Sequence, residues 1–275
     1  MPSTAAAKAF RSVLFYAGAV LLSAPQVFVF AWMIMTGLKT GSQNISYPPE
    51  FVFTPTLENF QAVFQQHNFL YYLFNSLVIA GLATLISLIL GLPAAYSIAK
   101  YRQGKIGIMI LLARMTPFVS YLLPWYIIFR YLKLIDTYTA LTLTHLIITL
   151  PMVTWLMVSF FESMPGELED AAMIDGCSRW QSFIKIVLPL MRNGIATSEI
   201  MAFIFSWNQF LFSLILSGPQ TKTVPVAVYN FISYGKIDWA GIGAAATLIV
   251  LPVSVFAFFV RKSIVQGLTM GALKD

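Results

Sequence analysis

Six long apolar stretches decide what this chain can fold into. A helix needs roughly 20 mostly apolar residues to cross the hydrocarbon core of a bilayer. Only 10% of the 275 residues are charged, against about 25% in an average soluble domain. The sequence therefore predicts an all-α, polytopic membrane protein with six transmembrane helices in a single domain, residues 1–275. The predicted spans are about 13–38, 71–99, 106–131, 138–161, 192–216 and 240–261.

The first stretch follows Lys8 and Arg11, as the apolar part of a secretory signal would. It is too long for such a signal, and no clear small-residue cleavage site follows it, so we expect an uncleaved first span. Prolines interrupt several stretches, among them Pro117 and Pro124 in the third. Spanning helices tolerate proline where neighbours satisfy the freed backbone groups, and the prolines predict kinks.

The net charge of +6 comes from basic residues that flank the apolar stretches, which favours membrane orientation over nucleic-acid binding. A cytoplasmic N-terminus places more lysine and arginine inside than outside, so we expect both termini in the cytoplasm. The predicted inner residues are Lys8, Arg11, Lys100, Arg102, Lys105, Arg179, Lys185, Arg192, Arg261, Lys262 and Lys274. The predicted outer residues are Lys39, Arg130, Lys133, Lys222 and Lys236.

The predicted external loop, residues 40–70, contains one amphipathic pattern. Thr56 can cap a short helix that carries Leu57, Phe60 and Phe64 on one side. Such a helix would lie at the outer membrane surface. A plain linker turn is the alternative.

Residues 162–191, between the fourth and fifth stretches, predict two short helices joined by a tight turn. Pro165 suits the first turn of the first helix, and Gly176, after Asp175, suits its end because glycine accepts the left-handed conformation. Ser178 and Gln181 predict a capping box for the second helix. Acidic side chains complement the positive end of the first helix dipole; they are Glu167, Glu169 and Asp170.

Ala171 and Ala172 leave little bulk on one face of the first helix, so another protein could approach it closely. A loop that packs only on itself explains the residues nearly as well. The spacing of the segment favours the first interpretation. Asp170-Ala171-Ala172, three residues, Gly176, nine residues, Ile186, one residue and Leu188-Pro189 resemble the EAA loop of ABC importer permeases. Asp170 stands where that family usually has glutamate.

Further motifs resemble the sugar-importer branch of this family, and specifically the maltose-transporter second-permease type. Lys133 replaces a family glycine, and Gln209 replaces a family glutamate. The motifs are Asn75-Ser76, Ala94-Ala95-Tyr96 with Gly104, Leu134-Ile135-Asp136-Thr137, Trp207-Asn208-Gln209-Phe210-Leu211, and the tail Gly267–Lys274.

The resemblance implies a type I ABC importer permease in the bacterial cytoplasmic (inner) membrane, taking up a sugar or sugar derivative. It implies a heterodimer with a second permease, two ATPase subunits that bind ATP and Mg, an external solute-binding protein and surrounding lipid. The chain has no GxxxxGK[ST] loop, so we expect it not to bind ATP. The resemblance also implies that it carries no cofactor and is not an enzyme. The implied ATPase-coupling residues are Glu167, Asp170, Ala171, Ala172, Asp175, Gly176, Ile186, Leu188 and Pro189.

Charged side chains inside spans are expensive and therefore functional candidates. Arg114 and Glu199 both fall about 10–13 Å inward from the cytoplasmic side at 1.5 Å per residue, so they can form an ion pair. Alternatively, Arg114 attracts an anionic group on the solute, because its planar fork suits carboxylates, phosphates and sulfonates. The candidate solute path comprises Arg114, Tyr121, Trp125, Asn208 and Gln209.

His67 and His145 lie far apart in sequence, and Cys177 is the single cysteine, so no metal site is predicted. His145 is expected to be a packed or hydrogen-bonded helix residue and not a catalytic one. The alternatives to an importer subunit are a self-contained secondary carrier or channel and a membrane-embedded enzyme. A carrier usually shows internal repeats, and the two halves of this chain show no convincing repeat.

Overall fold

The computed structural model describes residues 4–66, 68–233 and 236–272, and it is almost entirely helical. The first half contains α1 Thr4–Leu38, α2 Gly41–Asn44, α3 Glu58–Gln66, α4 Phe69–Lys100, α5 Gly104–Met115, α6 Val119–Tyr131 and α7 Tyr138–Glu162. The second half contains α8 Glu167–Ile174, α9 Arg179–Ser182, a π-helical turn Phe183–Val187, α10 Leu188–Leu190, α11 Arg192–Trp207, α12 Leu211–Leu216, α13 Val224–Val228, a 3-10 turn Tyr229–Phe231 and α14 Trp239–Ala272. Two short strands, β1 Ile232–Ser233 and β2 Lys236–Ile237, pair antiparallel with Ile232 opposite Ile237.

Four described helices are long and apolar enough to cross a membrane, which supports the all-α membrane class. They are Phe10–Leu38 within α1, all of α4, all of α7, and Trp239–Phe258 within α14.

The predicted third span, 106–131, is two helices and not one. α5 and α6 are long and apolar enough to cross a membrane only when they are taken together, and they meet at an angle of 87°. The break falls at Thr116, which is extended with ψ 128°. Pro117 explains this conformation, because proline disfavours the helical region for the residue before it.

The predicted fifth span, 192–216, is not one continuous helix in the structure. α11 ends at Trp207, and α12 begins at Leu211. Asn208 and Gln209 lie in the break, and their side chains hydrogen-bond to the backbone at the two helix ends. Asn208 Nδ2 donates to Ile204 O at 2.9 Å, and Gln209 Oε1 accepts from Leu211 N at 3.0 Å.

The described chain divides into two compact units, each with its own packing. The first consists of the chain up to Asn68 together with Asn230–Leu248. In it, α3 forms as predicted, and Thr56 Oγ1 accepts a hydrogen bond from Glu58 N at 3.2 Å. Val63 of α3 is buried, whereas Leu57 and Phe64 are 63% and 39% exposed, so contact of the predicted apolar face with the membrane surface stays a prediction.

The second unit consists of Phe69–Tyr229 and the chain from Ile249. Its centre is the packing of α4 against α7, with α11 lying against both. Gly194 of α11 allows this close approach, because a Cβ there would lie 2.7 Å from the Phe160 ring. One buried cluster includes Met157, Phe161 and Phe183.

Candidate functional site

The first helix of the 162–191 segment ends as the sequence predicted. α8 stops at Ile174, and Gly176 follows with φ +90°. Gly176 N donates to Met173 O at 3.1 Å, and Cys177 N donates to Ala172 O at 3.0 Å. These two bonds are those of the Schellman motif, in which a left-handed residue closes the helix.

The second helix begins with the predicted capping box. Ser178 Oγ accepts from Gln181 N at 3.2 Å, and Gln181 Oε1 accepts from Ser178 N at 2.9 Å. Beyond Ser182 the backbone widens into the π-helical turn, which the sequence did not predict. Phe183 and Val187 point from this turn into the buried core.

Of the two alanines of α8 that were expected to face a partner protein, only Ala171 is exposed in the structure. Ala172 is only 7% exposed, because α8 packs against the π-helical turn. Ala171 is exposed as expected. Exposed apolar side chains of the segment include Leu168, Ile174 and Trp180, which are 44%, 87% and 60% exposed.

A buried carboxylate that the sequence analysis assigned only to the helix dipole ties α8 to the end of α4. Glu169 is 3% exposed and forms an ion pair with Lys100. Tyr96 Oη also donates to Glu169 Oε1 at 2.5 Å. The Tyr96 ring contacts the rings of Phe161 and Phe183, with centroids 5.8 and 4.8 Å away. The ends of α4 and α7 and the α8 segment therefore meet around one carboxylate.

Part of this link could have been read from the sequence. Tyr96 belongs to the Ala-Ala-Tyr motif, and Lys100 follows at i+4, on the same helix face. Their partner lies 69 residues beyond Lys100, and nothing local identifies it. Beside the link lies an open cavity of about 570 Å³ with side chains of both charges, including Arg102, Glu162 and Asp170.

The remaining predicted coupling residues lie around this cavity or along the segment. Glu167, Asp170, Asp175 and Pro189 are exposed, while Ile186 and Leu188 are half-buried.

The predicted ion pair between Arg114 and Glu199 is absent from the structure. Both side chains are half-buried, and the ion pair observed within the described residues joins Lys100 to Glu169. Arg114 lies in the last turn of α5, just before the bend. A cation is stabilised there by the negative end of the helix dipole.

The other predicted solute-path residues do not converge on one described cavity. Tyr121 Oη donates to Ala113 O at 3.2 Å, and Trp125 stacks on Phe129 with ring centroids 4.9 Å apart. Asn208 is exposed, and Gln209 is half-buried at the break after α11. Their role in solute transfer stays a prediction.

His145 is a buried hydrogen-bonded residue, as expected. Its Nδ1 lies 2.7 Å from Ser206 Oγ and its Nε2 3.4 Å from Ser213 Oγ. These serines flank the break between α11 and α12, so one imidazole of α7 bridges both halves of the broken helix. His67 lies outside the described residues, among which no metal-binding group of side chains is found.

Two of the family-like motifs meet at a second polar junction. Asp136 Oδ1 accepts from Gly218 N and from the Thr221 hydroxyl, at 2.8 and 2.7 Å. Asn75, fully buried, donates to the carbonyls of Gln220 and Lys222 at 3.0 Å. The chain after α12 is thus held at the start of α4 and the end of α6.

Burial would by itself raise the pKa of the Asp136 carboxyl, but hydrogen bonds from Thr221, Gln220 and Gly218 lower it below its ordinary value. Lys133, which stands in place of the glycine of the motif that this segment resembles, has φ +56°. Leu134 N donates to Phe129 O at 2.8 Å, which makes Lys133 the left-handed residue of another Schellman motif.

Comparisons with known proteins agree with this architecture. A family model described as a binding-protein-dependent transport system inner membrane component matches residues 87–270. The chain is 39% identical, over 90% of both chains, to a probable ABC transporter permease of Sinorhizobium fredii. It is 35% identical, over 96% of this chain and 94% of the relative, to a sulfoquinovosyl glycerol transport permease of Agrobacterium fabrum. The fold matches a chain of a bacterial ABC transporter involved in import of the acidic polysaccharide alginate, with a TM-score of 0.73, 19% identity, and coverage of 95% and 98%.

Proposed function

The chain belongs to the family of binding-protein-dependent transport system inner membrane components, and on that premise we propose that it is a permease subunit of an ATP-driven importer for a sugar or sugar derivative. The chain itself binds no nucleotide in this proposal, because it has no phosphate-binding loop motif. ATP and Mg belong to two separate ATPase subunits. A second permease completes a heterodimer in the bacterial inner membrane, with six crossings and both termini cytoplasmic in this chain, and an external binding protein delivers the solute.

The observation that carries the proposal is the arrangement of α8. Leu168 and Ile174 of α8 are 44% and 87% exposed, and exposed apolar groups offer contacts to a partner protein. The inward face of α8 is fixed to α4 through Glu169 and Lys100. A docked ATPase that moves α8 would therefore move the end of α4 with it. The exposed carboxylate of Asp170 is available to a basic side chain of that ATPase.

Paired substitutions test this coupling role. Ile174→Glu places a charge on the exposed apolar face and should abolish both co-purification with the ATPase and ATP-driven uptake in proteoliposomes. Val52→Glu is the matched control, because Val52 is 94% exposed and lies in the predicted external loop; it should retain both activities. Full activity of Ile174→Glu would contradict the coupling role. Uptake by the purified chain alone would instead favour a self-contained carrier.

Sugar is the proposed solute class because relatives at this similarity include the sulfoquinovosyl glycerol permease. We further propose that the solute carries an anionic group that contacts Arg114, since Arg114 has no carboxylate partner among the described residues. Arg114→Ala should lower the rate or affinity of uptake for an acidic sugar more than for a neutral one. Unchanged transport of both would remove Arg114 from the solute path.

A further inference from the structure

Lys39 is a lysine buried without an anionic partner. It follows the end of α1 and is only 3% exposed. Every acidic residue of the chain except Asp275 lies in the described part, and none forms an ion pair with Lys39. Buried charges in proteins are normally paired or neutralised, because removing an ion from water is costly. An unpaired ammonium in this position requires an explanation.

The neighbouring carbonyl groups do not supply one. The carbonyls of Thr36, Gly37 and Leu38 at the end of α1 would be natural acceptors for a lysine at this position, but each accepts a hydrogen bond from another group. Thr36 O accepts from Asn44 Nδ2 at 3.0 Å, and Leu38 O accepts from Thr56 N at 2.8 Å. Asn59 Nδ2 lies 2.8 Å from both Gly37 O and Lys39 O.

The Lys39 ammonium lies over two aromatic rings, which attract its charge without accepting a conventional hydrogen bond. Nζ lies 5.0 Å from the ring centroid of Trp32 and 5.1 Å from that of Phe53, which is cation–π distance. Within the described chain, no ion pair involves Lys39, and the contacts found for its ammonium are those with these two rings.

The Lys39 side chain lines a cavity of about 130 Å³, together with Trp32, Gln43, Asn44, Ser46 and Trp239. Hydrogen bonds within the chain hold the polar groups around this cavity in place. Gln43 Oε1 accepts from Thr40 N at 2.9 Å, which leaves its amide N–H groups as donors, and Ser46 Oγ donates to Gln43 O at 3.0 Å. Cavities that enclose drug-sized ligands measure about 300–1,000 Å³, so this one suits a single small group and not a sugar ring.

From this geometry we propose that the Lys39 cavity is a binding site for one oxyanion group: a sulfonate, carboxylate or phosphate. The ammonium and the Gln43 amide donate to its oxygens, and the Trp32 and Trp239 rings form the wall. The group belongs either to a soluble acid or to the headgroup of an anionic phospholipid. This inference goes beyond the proposed transport function and holds whether or not the transported solute is charged.

The test measures the unfolding temperature of the full-length chain, co-purified with its partner subunits in nanodiscs of zwitterionic lipid. Methanesulfonate, glucuronate and phosphate are compared with chloride at equal ionic strength and with neutral glucose. We expect an oxyanion to raise the unfolding temperature by about 5 °C at 100 times its dissociation constant. A second arm replaces part of the lipid with phosphatidylglycerol. A rise there, with no further effect of soluble anions, identifies the phospholipid as occupant.

Lys39→Met keeps the length and apolar stem of the side chain but removes the charge, so it should abolish the shift. Lys222→Met is the matched control, because Lys222 also lies over an aromatic ring, 5.9 Å from the centroid of Tyr72; it should keep the shift. If Lys39→Met does not assemble, Lys39→Gln replaces it, and this variant should also abolish the shift in unfolding temperature. The proposal is overturned if neither soluble oxyanions nor phosphatidylglycerol stabilise the wild type, or if the shift survives in the Lys39 variants.

Discussion

Removing the buried carboxylate of Glu169 should release α8 from α4 without unfolding the rest of the protein. The perturbation is Glu169→Gln, which keeps the shape of the side chain and removes its charge. Lys100 then loses its partner, and the phenol of Tyr96 loses its strongest acceptor. The prediction concerns this local connection and not the global fold, because α4 and α7 remain packed along their length.

The expected magnitude follows from the burial of the two partners. Breaking a fully buried ion pair by removing one side costs about 3–5 kcal/mol. Here the Glu169 side chain is 4% exposed, but that of Lys100 is 23% exposed, so Lys100 recovers some hydration when it is released. We therefore expect about 2 kcal/mol for the opening of α8, which corresponds to roughly 30-fold in the opening equilibrium.

Hydrogen–deuterium exchange of the α8 amides measures this opening directly, because locally opened segments exchange faster. Asp170→Asn is the matched control: it removes one charge from the same first helical turn, and no ion pair of Asp170 occurs in the described chain. Loss of the helix-dipole interaction alone is worth about 0.3–1 kcal/mol, or roughly 2- to 5-fold in exchange. The difference between the two variants isolates the ion pair.

A double-mutant cycle with Lys100→Met completes the experiment. If the pair is real, the double variant should be less perturbed than the sum of the singles, with a coupling energy of about 1–2 kcal/mol. Equal exchange in Glu169→Gln and Asp170→Asn, or strict additivity of the two single variants, would refute the reasoning.

Five further changes test separate features. Lys133→Gly should raise stability by about 1 kcal/mol, because glycine adopts a left-handed φ without strain; an unchanged unfolding temperature would speak against it. Gly176→Ala should speed exchange at the end of α8 by a similar free energy, even though nothing lies within 4 Å of the new Cβ. Asp136 has a lowered pKa, so its contribution to stability is complete at neutral pH and is lost as pH falls below about 4; Asp136→Asn should remove that acid sensitivity in an unfolding titration. His145→Phe should lower the unfolding free energy by about 2 kcal/mol by leaving buried hydroxyls unpaired. Thr142→Val should be neutral or stabilising, because the buried Thr142 hydroxyl has no hydrogen-bond partner among the described residues.

Local chemistry was readable from the sequence wherever a single residue type decides the backbone. The left-handed Gly176 and the capping box of Ser178 and Gln181 are present as predicted. Proline chemistry also located the break before α6, although not its angle of 87°. These features depend on residues within four positions of one another, so a linear reading is sufficient.

Features that depend on packing between helices were not readable. Helical rise placed Arg114 and Glu199 at similar depths, but depth does not say which faces the helices present to each other. Ala172 was misplaced for the same reason, since the π-helical turn that covers it has no local signature.

The exposed apolar side chains of the 162–191 segment also bear on how long the chain survives in a cell. Ile174 and Trp180 are 87% and 60% exposed, and an uncovered apolar surface is a feature that chaperones and proteases act on. A partner that binds only the folded chain stabilises it by mass action. If this surface binds the partner proposed above, the lifetime of the chain would also depend on assembly, and copies made in excess of their partners would be removed first.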